Sequence, residues 1–286
     1  MNKNVKRFAV MGNPIQHSQS PFIHSEFARQ TGIELCYDKL LVPIDEFTNK
    51  VESFFSEGGI GLNITVPFKE QAFELARYNI SDRARIAKAV NTLWLKNGHI
   101  HGCNTDGAGL VNDLTRLGHN PEGKSILLVG AGGASRGAAP SLLDAGCSRL
   151  QIANRTEARA AELCQDLKNS LPQYKNILFS SGLKELQNSA WDIVINATSS
   201  SLTPNSNLAI QPLYASNSLA YDMVYSSNPT SFMQNASQQG AANVADGLGM
   251  LVGQAAVSFY IWHGIMPSTQ PVLELLRSHM SATEQQ

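Results

Sequence analysis

The strongest constraint on the fold lies near the middle of the chain, where a short apolar run leads straight into a glycine-rich loop. The run KSILLVG (124–130) is bounded by turn-forming residues, which is the pattern of a buried parallel strand. The loop AGGASR (131–136) follows, and a helical pattern then extends to about residue 145. Parallel strands require crossover connections, which are usually helices, so this segment predicts an α/β protein.

Strand-like and helix-like patterns alternate along the rest of the chain. Periodicity predicts helices near 21–31, 46–56, 81–88 and 106–117, and over TEARAAELCQDLKN (156–169). Strands are predicted at the apolar runs RFAVMG, CYDKLLVP, GIGLNITV, TLWLKN, RLQIANR, NILF, WDIVINAT, LAYDMVY and AANV. The polar stretch SSSLTPNSNLAIQP (199–212) is predicted to be a loop. This alternation indicates α/β architecture with largely parallel strands.

Composition excludes several classes of protein. With 22 Lys and Arg against 23 Asp and Glu in 286 residues, the chain lacks the basic face that nucleic acid or an anionic membrane requires. Its most apolar late stretch, MLVGQAAVSFYIW (250–262), is too short to span a bilayer. Four scattered cysteines without a C-x-x-C pair predict a reducing compartment, no disulfide framework and no metal site. We therefore expect a cytoplasmic, globular protein.

The glycine loop has the composition of a dinucleotide-binding turn. Gly130 permits a tight turn, and Gly132 lets the backbone approach a pyrophosphate. The helix start that follows offers N–H donors and the positive end of the helix dipole. The third glycine of the usual fingerprint falls on Ser135, so the match is imperfect. A purely structural glycine turn is the alternative.

The end of the next predicted strand discriminates between NAD and NADP. NAD sites place an acidic residue about 20 residues further on, where it binds the ribose hydroxyls. Here the strand ends in Asn154, Arg155 and Thr156, with Arg159 one helical turn later. Two guanidinium groups can pair with a phosphate, which favours NADP. In the alternative interpretation Thr156 caps the next helix and both arginines are solvated.

Polar residues lie at or next to the ends of several other predicted strands, near the edge where open α/β sheets bind ligands, and one of them, Asn91, comes just before a strand. They are Ser18, Ser20, Asn63, Thr65, Lys69, Asn91 and Asp106. Hydroxyl, amide, ammonium and carboxylate groups together suit a polyhydroxylated, anionic small molecule. Local interpretations also exist, because Ser20 and Asp106 can cap helices. Asn63 and Thr65, on one face of a strand, can be satisfied within the sheet, and Lys69 can be solvated.

The surroundings of other side chains are also informative. Pro67 is predicted at the first position of a helix that continues through Tyr78, which puts Lys69 in a first turn where the dipole disfavours a cation. Gln254 lies in an apolar helix, where a buried amide is costly unless it is partnered. His17 and His24 are interpreted as local hydrogen-bonding residues rather than catalysts.

Taken in chain order, these residues resemble the shikimate dehydrogenase family over nearly the whole sequence. The matching segments are GNPIxHSxSP (12–21), NxTVPFK (63–69), AVNT (89–92), NTDG (104–107), GAGGAxR (130–136), NRT (154–156), NATS (196–199), DMxY (222–225) and DGxGMLxxQ (246–254). The resemblance implies a two-domain α/β protein. A substrate domain would comprise 1–104 plus 246–286, with the last helices returning to it. A Rossmann-type, doubly wound parallel sheet at 105–245 would hold NADP.

The family pattern also implies a role for each matching residue. Lys69 and Asp106 would be the catalytic proton relay for the reversible, NADPH-dependent reduction of 3-dehydroshikimate to shikimate. The implied substrate-binding residues are Ser18, Ser20, Asn63, Thr65, Asn91, Tyr225 and Gln254. The implied cofactor-binding residues are Gly130, Ala131, Gly132, Gly133, Ala134, Ser135, Arg136, Asn154, Arg155, Thr156, Arg159, Thr198, Met223, Gly247 and Met250.

Alternatives to this function stay open at the level of sequence. One is a quinate/shikimate dehydrogenase with relaxed substrate or NAD use, and another is a non-catalytic NADP-binding module. A homodimer is compatible with the sequence. The chain departs from the family pattern at Cys103, at Ser201 and at Pro229, which is displaced from the usual proline position near Tyr225. We expect these departures to alter loop contacts beside the site rather than the reaction class.

Overall fold

The computed structural model describes residues 5–202 and 210–283 and divides the chain into two compact units. The first unit comprises the chain up to Gly109 together with Val252–Ser278. The second comprises Leu110–Leu251 and the residues from His279 onwards. The sequence analysis placed the domain limits at 104/105 and 245/246, five and six residues before the divisions at 109/110 and 251/252, and contained no division at 278/279.

The first unit contains a five-stranded sheet in the order β2-β1-β3-β4-β5. Its strands are β1 (Lys6–Gly12), β2 (Leu35–Leu41), β3 (Gly59–Ile64), β4 (Thr92–Lys96) and β5 (His99–Cys103). β1 runs parallel to β2 and β3, whereas β4 is antiparallel to both β3 and β5. The sheet is therefore mixed, and the β4–β5 hairpin is the exception to the largely parallel arrangement that was predicted. Asn97 and Gly98, with φ of 53° and 77°, form its two-residue turn, a hairpin signal that the sequence analysis missed.

The helices α1 (Ser20–Thr31), α2 (Phe47–Ser56), α3 (Lys69–Ala76) and α4 (Asp82–Ala87) belong to the same unit. α3 begins two residues later than predicted, because Pro67 lies in a reverse turn rather than at the first helical position. Phe68 N–H donates to Thr65 O at 3.0 Å to close this turn, and the Val66–Pro67 peptide is cis. Phe68 is buried and stacks on Phe47 at 4.8 Å, which fixes where α3 starts.

Side chains of β1 alternate between the two faces of its sheet, as strand geometry requires. Ala9 and Met11 belong to one buried apolar cluster, which also includes Phe68. Phe8 and Val10 face a second cluster on the other side of the sheet. The sheet is therefore covered by apolar groups on both faces, and polar groups that lie within it must be paired inside the protein.

The second unit is built on a six-stranded sheet in the order β11-β10-β9-β6-β7-β8, with every pair parallel. Its strands are β6 (Ser125–Val129), β7 (Arg149–Asn154), β8 (Leu178–Gly182), β9 (Ala190–Asn196), β10 (Leu213–Asp222) and β11 (Asn243–Ala245). The strand order reverses between β6 and β9, which is the topological switch point of a doubly wound sheet. The predicted fold class is confirmed.

The helices of the second unit match the predicted ones except for α8, for which no helix was predicted. They are α5 (Asp106–Arg116), which begins in the first unit, α6 (Gly133–Asp144), α7 (Glu157–Ser170) and α8 (Ser231–Gln238). Short 3-10 turns occur at Pro172–Tyr174, Leu183–Asn188 and Ser200–Leu202. The last of these lies in the predicted 199–212 loop, of which residues 203–209 are outside the described residues.

Two helices complete the chain, α9 (Leu248–His263) and α10 (Gln270–Thr283). The division between the units falls inside α5, α9 and α10, so each of these helices contributes residues to both units. Across residues 5–202 and 210–283, the helices are all too short or too polar to cross a membrane.

Candidate active site

A lysine and an aspartate from distant parts of the chain meet in the first unit. Lys69 is the first residue of α3, and Asp106 is the first residue of α5. Lys69 Nζ lies 2.6 Å from Asp106 Oδ2, and the two side chains are 29% and 21% exposed. The predicted contact is therefore present. The pair is partly open to solvent, so a ligand can reach it.

Asn91 holds the other oxygen of this carboxylate. Its Nδ2 donates to Asp106 Oδ1 at 2.8 Å and to Thr105 Oγ1 at 2.9 Å, while its Oδ1 accepts from Thr105 N at 2.9 Å. A backbone N–H can only donate and a carboxylate only accepts, so the orientation of this amide is unambiguous. With both oxygens of Asp106 engaged and Asp106 already inside α5, the helix-cap interpretation of this residue is wrong.

Asn63 is buried in β3 and is paired entirely inside the protein. Its Oδ1 accepts from the Tyr37 hydroxyl at 2.7 Å, and its Nδ2 donates to Ser258 Oγ at 3.0 Å and to the Asn91 carbonyl at 3.2 Å. Asn63 therefore matches the local interpretation, in which the sheet region satisfies its amide.

Two hydroxyl groups that the sequence analysis missed connect these amides. Thr92 Oγ1 donates to Asn91 Oδ1 at 2.9 Å and lies 2.8 Å from Ser258 Oγ. Both residues are fully buried. Ser258 had a usable signal, since it follows Gln254 by four residues in the same apolar helix and so shares its face.

Gln254 reaches the same network from α9. Its Oε1 accepts from Asn91 Nδ2 and from Thr105 Oγ1, each at 3.4 Å. The Gln254 side chain therefore has hydrogen-bond partners, as expected from the free-energy cost of burying an unpaired amide. It is half-buried rather than fully buried, which leaves part of the amide accessible from solvent.

The two serines of the first polar loop bond to each other. Ser18 Oγ donates to Ser20 Oγ at 3.2 Å and accepts from Ser20 N at 3.3 Å. Gln19 occupies the N-cap position of α1, so the interpretation of Ser20 as the cap is wrong. Thr65 lies one residue beyond the end of β3, and its N–H donates to Met11 O at 3.0 Å.

His24 is a packing residue in this structure. Its ring is fully buried and stacks on Tyr37 with centroids 4.3 Å apart. Neither ring nitrogen has a partner of good geometry among the described residues, so the hydrogen-bonding interpretation is wrong for His24. Burial lowers the pKa of His24 to about 3, an effect that the nearby Asn63 amide opposes only in part. His17 is exposed.

The glycine loop of the second unit joins β6 to α6. Gly130 has φ of 115°, a backbone conformation that residues other than glycine rarely adopt. Ser135, at the position of the missing glycine, is buried and donates its hydroxyl to Gly130 O at 2.8 Å. Gly132 is the N-cap of α6, and a Cβ there would meet nothing within 4 Å. The loop therefore has free space at its helix start.

The arginines after β7 are well placed to meet a ligand. Arg155, Thr156 and Arg159 are exposed, and within the described chain no ion pair involves either arginine. Thr156 occupies the N-cap position of α7 without a side-chain cap bond. Asn154 Nδ2 donates to Thr156 O at 2.9 Å and holds this turn. Arg136, in contrast, pairs with Asp166 at 2.9 Å.

Asp222 organises the loops after β9 and β10. Its carboxylate accepts from Asn196 Nδ2 at 3.0 Å, Val224 N at 3.1 Å, Thr230 Oγ1 at 2.7 Å and Ser201 Oγ at 2.5 Å. Burial raises the pKa of Asp222, and these hydrogen bonds act in the opposite direction. The departure from the family pattern at Ser201 thus supplies one more donor to a buried carboxylate.

Thr198 and Met223 flank the same region. The Thr198 N–H and hydroxyl both donate to Asn196 Oδ1, at 3.1 and 2.7 Å, and Met223 N donates to Asn196 O at 2.9 Å. Gly247 approaches this segment so closely that a Cβ would lie 2.1 Å from Met223 O. Tyr225 is half-buried in the second unit, and burial raises the pKa of its hydroxyl.

A buried tyrosine and aspartate support the start of α9. The Tyr221 hydroxyl donates to Asp113 Oδ2 at 2.7 Å and accepts from Met250 N at 3.3 Å, while Arg116 Nε donates to Asp113 Oδ1 at 2.7 Å. Sequence reasoning missed this set, because an Asp and an Arg three residues apart on a helix usually form a surface pair. Here Asp113 is buried.

The other departure from the family pattern with a clear contact is Cys103, at the end of β5. It is buried, and Ser81 Oγ donates to its sulfur at 3.3 Å. Burial raises the pKa of the Cys103 thiol, and the Ser81 hydrogen bond opposes this effect. The residue behaves as a packed, protonated side chain beside Asn104 rather than as a nucleophile.

Together, the two units carry complementary chemistry. The second has a doubly wound sheet, a glycine loop with space at its helix start and two arginines without an ion pair among the described residues, which fit a dinucleotide bearing an extra phosphate. The first has a lysine–aspartate pair bordered by amides and hydroxyls, which suits proton transfer to a polar substrate. This combination defines a dinucleotide-dependent oxidoreductase of the α/β class.

Comparison with known families identifies the class more closely. Residues 10–93 match the shikimate dehydrogenase substrate-binding domain, residues 114–231 match the shikimate/quinate 5-dehydrogenase model, and residues 247–277 match the shikimate 5'-dehydrogenase C-terminal domain. The chain belongs to the shikimate dehydrogenase family.

Individual relatives agree over nearly the full length. The chain is 53% identical to the NADP(+) shikimate dehydrogenase of Bordetella avium over 281 residues, 98% of each chain. The crystal structure of an Ael1 enzyme from Pseudomonas putida is similar, with a TM-score of 0.86, 42% identity and coverage of 95% of this chain and 98% of that one. The shikimate 5-dehydrogenase of Thermus thermophilus, solved with NADP(H) and shikimate, has a TM-score of 0.84 and 29% identity, and the match covers 96% of this chain and 99% of that one.

Proposed function

We propose that this protein catalyses the reversible reduction of 3-dehydroshikimate to shikimate with NADPH. The observation that carries the proposal is the 2.6 Å contact between Lys69 Nζ and Asp106 Oδ2. A half-buried ammonium that is oriented by a carboxylate can give a proton to a carbonyl oxygen on reduction and take it back on oxidation. A protein that only bound the dinucleotide would have no use for such a pair.

In the proposed reaction Lys69 acts on the oxygen of the reacting carbon. During shikimate oxidation the hydroxyl proton passes to Lys69 as the C–H bond breaks, and during reduction the same proton returns to the oxygen. The cofactor, when bound, would supply the hydride that the carbonyl carbon receives in reduction and, as NADP, would accept that hydride when the C–H bond breaks in oxidation. Asp106 keeps the lysine in place, and Asn91 keeps Asp106 in place. General acid and base assistance of this kind is typically worth roughly 10²–10⁴ in rate.

The remaining polar groups of the first unit are assigned to the substrate. We assign carboxylate and hydroxyl recognition to Ser18, Ser20, Thr65, Asn91, Gln254 and Tyr225, and an indirect role to Asn63. Ser18 and Ser20 have hydroxyls whose mutual bond can be exchanged for bonds to a carboxylate. Gln254 is half-buried and so keeps amide surface for a ligand. The side-chain atoms of Asn63 are already hydrogen-bonded inside the protein, so Asn63 acts by holding the neighbouring amides and hydroxyls in position.

The cofactor is assigned to the second unit. The loop Gly130–Arg136 would receive the pyrophosphate, and Arg155 and Arg159 would pair with the ribose phosphate that distinguishes NADP from NAD. Asn154 and Thr156 would shape that pocket, while Thr198, Met223, Gly247 and Met250 would border the nicotinamide. Arg136 is already paired with Asp166, so we assign it to the architecture of the loop.

A direct assay tests the proposal. Purified protein is mixed with shikimate and NADP, and NADPH formation is followed by absorbance. We expect turnover with a kcat in the range of roughly 1–10³ s⁻¹ that is typical of enzymes. No NADPH formation with folded, NADP-binding protein would overturn the proposal and favour a non-catalytic binding module.

A second candidate is a dehydrogenase that also accepts quinate or NAD. It is favoured by one observation, the match of residues 114–231 to a family described as shikimate/quinate 5-dehydrogenase. Parallel assays with quinate and with NAD separate the two. We expect NADP to be preferred, because Arg155 and Arg159 place cations where an NAD enzyme has a carboxylate.

Two expectations concern the protein in its cell. We propose that it acts in the cytoplasm, since its cysteines are free, and Cys103, Cys147 and Cys164 are buried. We also propose a homodimer, which light scattering on the purified protein would distinguish from a monomer. Neither expectation alters the assignment of the site.

A further inference from the structure

One hydroxyl near the lysine–aspartate pair belongs to no motif of the family pattern. Ser258 is fully buried in α9, four residues beyond Gln254. Its Oγ lies 3.0 Å from Asn63 Nδ2, 2.8 Å from Thr92 Oγ1 and 3.3 Å from Thr105 Oγ1. It also donates to the Gln254 carbonyl at 3.1 Å. A single buried hydroxyl thus joins α9 to β3, to β4 and to the segment before α5.

The partners of Ser258 fix the direction of its hydrogen bonds. Thr92 gives its one proton to Asn91 Oδ1 and Asn63 Nδ2 can only donate, so Ser258 O–H is shared between Thr92 Oγ1 and the Gln254 carbonyl, and Ser258 Oγ accepts from Asn63. Its full hydrogen-bonding capacity is used. The Thr92 hydroxyl also lies 2.9 Å from Asn91 Oδ1, so Thr92 connects Ser258 to the Asn91 amide, which in turn holds Asp106.

We propose that Ser258 is a positioning residue for the Lys69–Asp106 pair, a role that rests on the proposed function. It holds the hydroxyls of Thr92 and Thr105, and through them it keeps Asn91 in the orientation that directs Nδ2 at Asp106 Oδ1. Lys69 bonds to the other oxygen of this carboxylate, so rotation of Asp106 would move the proton donor. Ser258 touches neither Lys69 nor Asp106 and acts only through this chain of hydrogen bonds.

An alanine at this position keeps nearly the same volume and removes the hydroxyl. Asn63 then loses one acceptor and Thr92 loses a partner, so the Asn91 amide gains freedom to turn. Small displacements of catalytic groups reduce rate strongly, and we expect Ser258→Ala to lower kcat for shikimate oxidation about tenfold. The KM for NADP should stay within about twofold, because the change is confined to the first unit.

Two comparisons separate positioning from a general loss of stability. Ser278→Ala removes the same kind of bond, from a serine hydroxyl to the carbonyl four residues earlier, at an exposed site in α10, and should leave kcat unchanged. Thr92→Val removes the next link of the chain. If Ser258 acts through Thr92, the double variant should lose little more kcat than the worse single variant, whereas independent effects would multiply.

The experiment is a set of kinetic constants for the unsubstituted protein and the four variants, together with a crystal structure of Ser258→Ala. Unchanged kcat in Ser258→Ala, or losses that multiply in the double variant, overturn the proposal. If Ser258→Ala does not fold, Thr92→Val must show the same selective loss of kcat for the proposal to stand. If the unsubstituted protein does not oxidise shikimate, the proposed function is refuted independently of the role of Ser258.

The crystal structure then tests the role of Ser258. A retained hydrogen bond from Asn91 Nδ2 to Asp106 Oδ1 in Ser258→Ala refutes positioning, and a broken bond supports it.

Discussion

At the scale of single residues, the two oxygens of Asp106 have different partners and therefore different uses. Oδ1 accepts a hydrogen bond from Asn91 Nδ2, and the Thr105 N–H fixes the orientation of this amide. An amide is not an acid or base in the catalytic range, so it only holds Oδ1 in place. Oδ2 faces Lys69 Nζ. The side of the carboxylate towards Asn91 is therefore structural, and the side towards Lys69 is the one at which a proton can be exchanged with a ligand.

The first prediction concerns Lys69. In Lys69→Ala we expect shikimate oxidation to fall by roughly 10²–10⁴, because no group replaces the proton donor. NADPH binding should be unchanged when it is measured by fluorescence titration. Lys50→Ala is a matched control, since Lys50 also pairs with a carboxylate, at 3.3 Å, but on the exposed surface of α2. Near-normal turnover in Lys69→Ala would remove this residue from the mechanism.

The second prediction concerns the two arginines that follow β7. Replacing both Arg155 and Arg159 by alanine should raise the KM for NADP by roughly tenfold to a hundredfold, as expected for the loss of hydrogen bonds to a charged group. The KM for NAD, which lacks the phosphate, should change little. Lys168→Ala is the control, because it removes a cation from the other end of α7. Equal effects on both cofactors would refute a phosphate contact.

At the scale of elements, the ends of strands and helices determine where the functional side chains lie. The turn from Thr65 to Phe68 delays the start of α3, and the buried Phe68 ring holds that start against Phe47. Lys69 is therefore the first residue of α3, whereas the sequence had placed it further along the first helical turn. In the second unit, Asn196 and Asp222 end adjacent strands, and their bonded side chains hold the loops that follow.

The third prediction concerns the packing between two such loops. A Cβ at Gly247 would lie 2.1 Å from Met223 O, so Gly247→Ala requires backbone movement. We expect a loss of about 1–3 kcal/mol in the free energy of unfolding, together with weaker NADP binding. Gly182→Ala is the control, since the nearest atom to its Cβ is Glu157 Oε2 at 3.6 Å, an ordinary contact. Urea unfolding of both variants would test this, and equal stabilities would contradict it.

At the scale of the whole molecule, each unit has its own core and its own buried polar groups. The first unit combines a mixed sheet with a network of amides and hydroxyls that spans β3, β4 and α9. It also buries His24 against Tyr37, next to that network. Buried titratable groups of this kind make the stability of a fold depend on pH.

The fourth prediction follows from the pKa of His24, which burial lowers to about 3 from an ordinary value of 6.5. The unfolded chain takes up a proton on this residue below pH 6.5, whereas the folded protein does not until about pH 3. Stability must therefore fall as pH decreases through this window. Between pH 7 and pH 5 the contribution of His24 is about 2 kcal/mol.

The measurement is the urea midpoint and slope at pH 7 and pH 5 for the protein and for His24→Leu, which cannot titrate. The variant should lose less stability on acidification than the parent does. His263 also contributes to the parent's loss, because burial lowers its pKa to about 4, and it is present in both proteins. The same pH dependence with and without His24 would show that the imidazole is not buried in its neutral form.

The sequence predicted most elements because their patterns are local. The apolar face of α7, with Ala160, Leu163 and Cys164 buried, follows directly from helical spacing. The hairpin between β4 and β5 was missed, although its Asn-Gly turn was available as a signal. The start of α3 was placed too early, because the aromatic contact that fixes it involves Phe47, which lies 21 positions before Phe68.

The sequence alone was enough to predict the α/β class, the glycine loop with its neighbouring arginines, and the set of side chains from which a site could be assembled. These depend on residue type and short spacing, which local physics controls. Which of these side chains meet depends on how the elements pack in three dimensions. Lys69 reaches Asp106 across 37 positions, and Ser258 reaches Asn63 across 195, because separate strands and helices pack into one unit. Such contacts result from the packing of whole elements, and no periodicity in the chain encodes them.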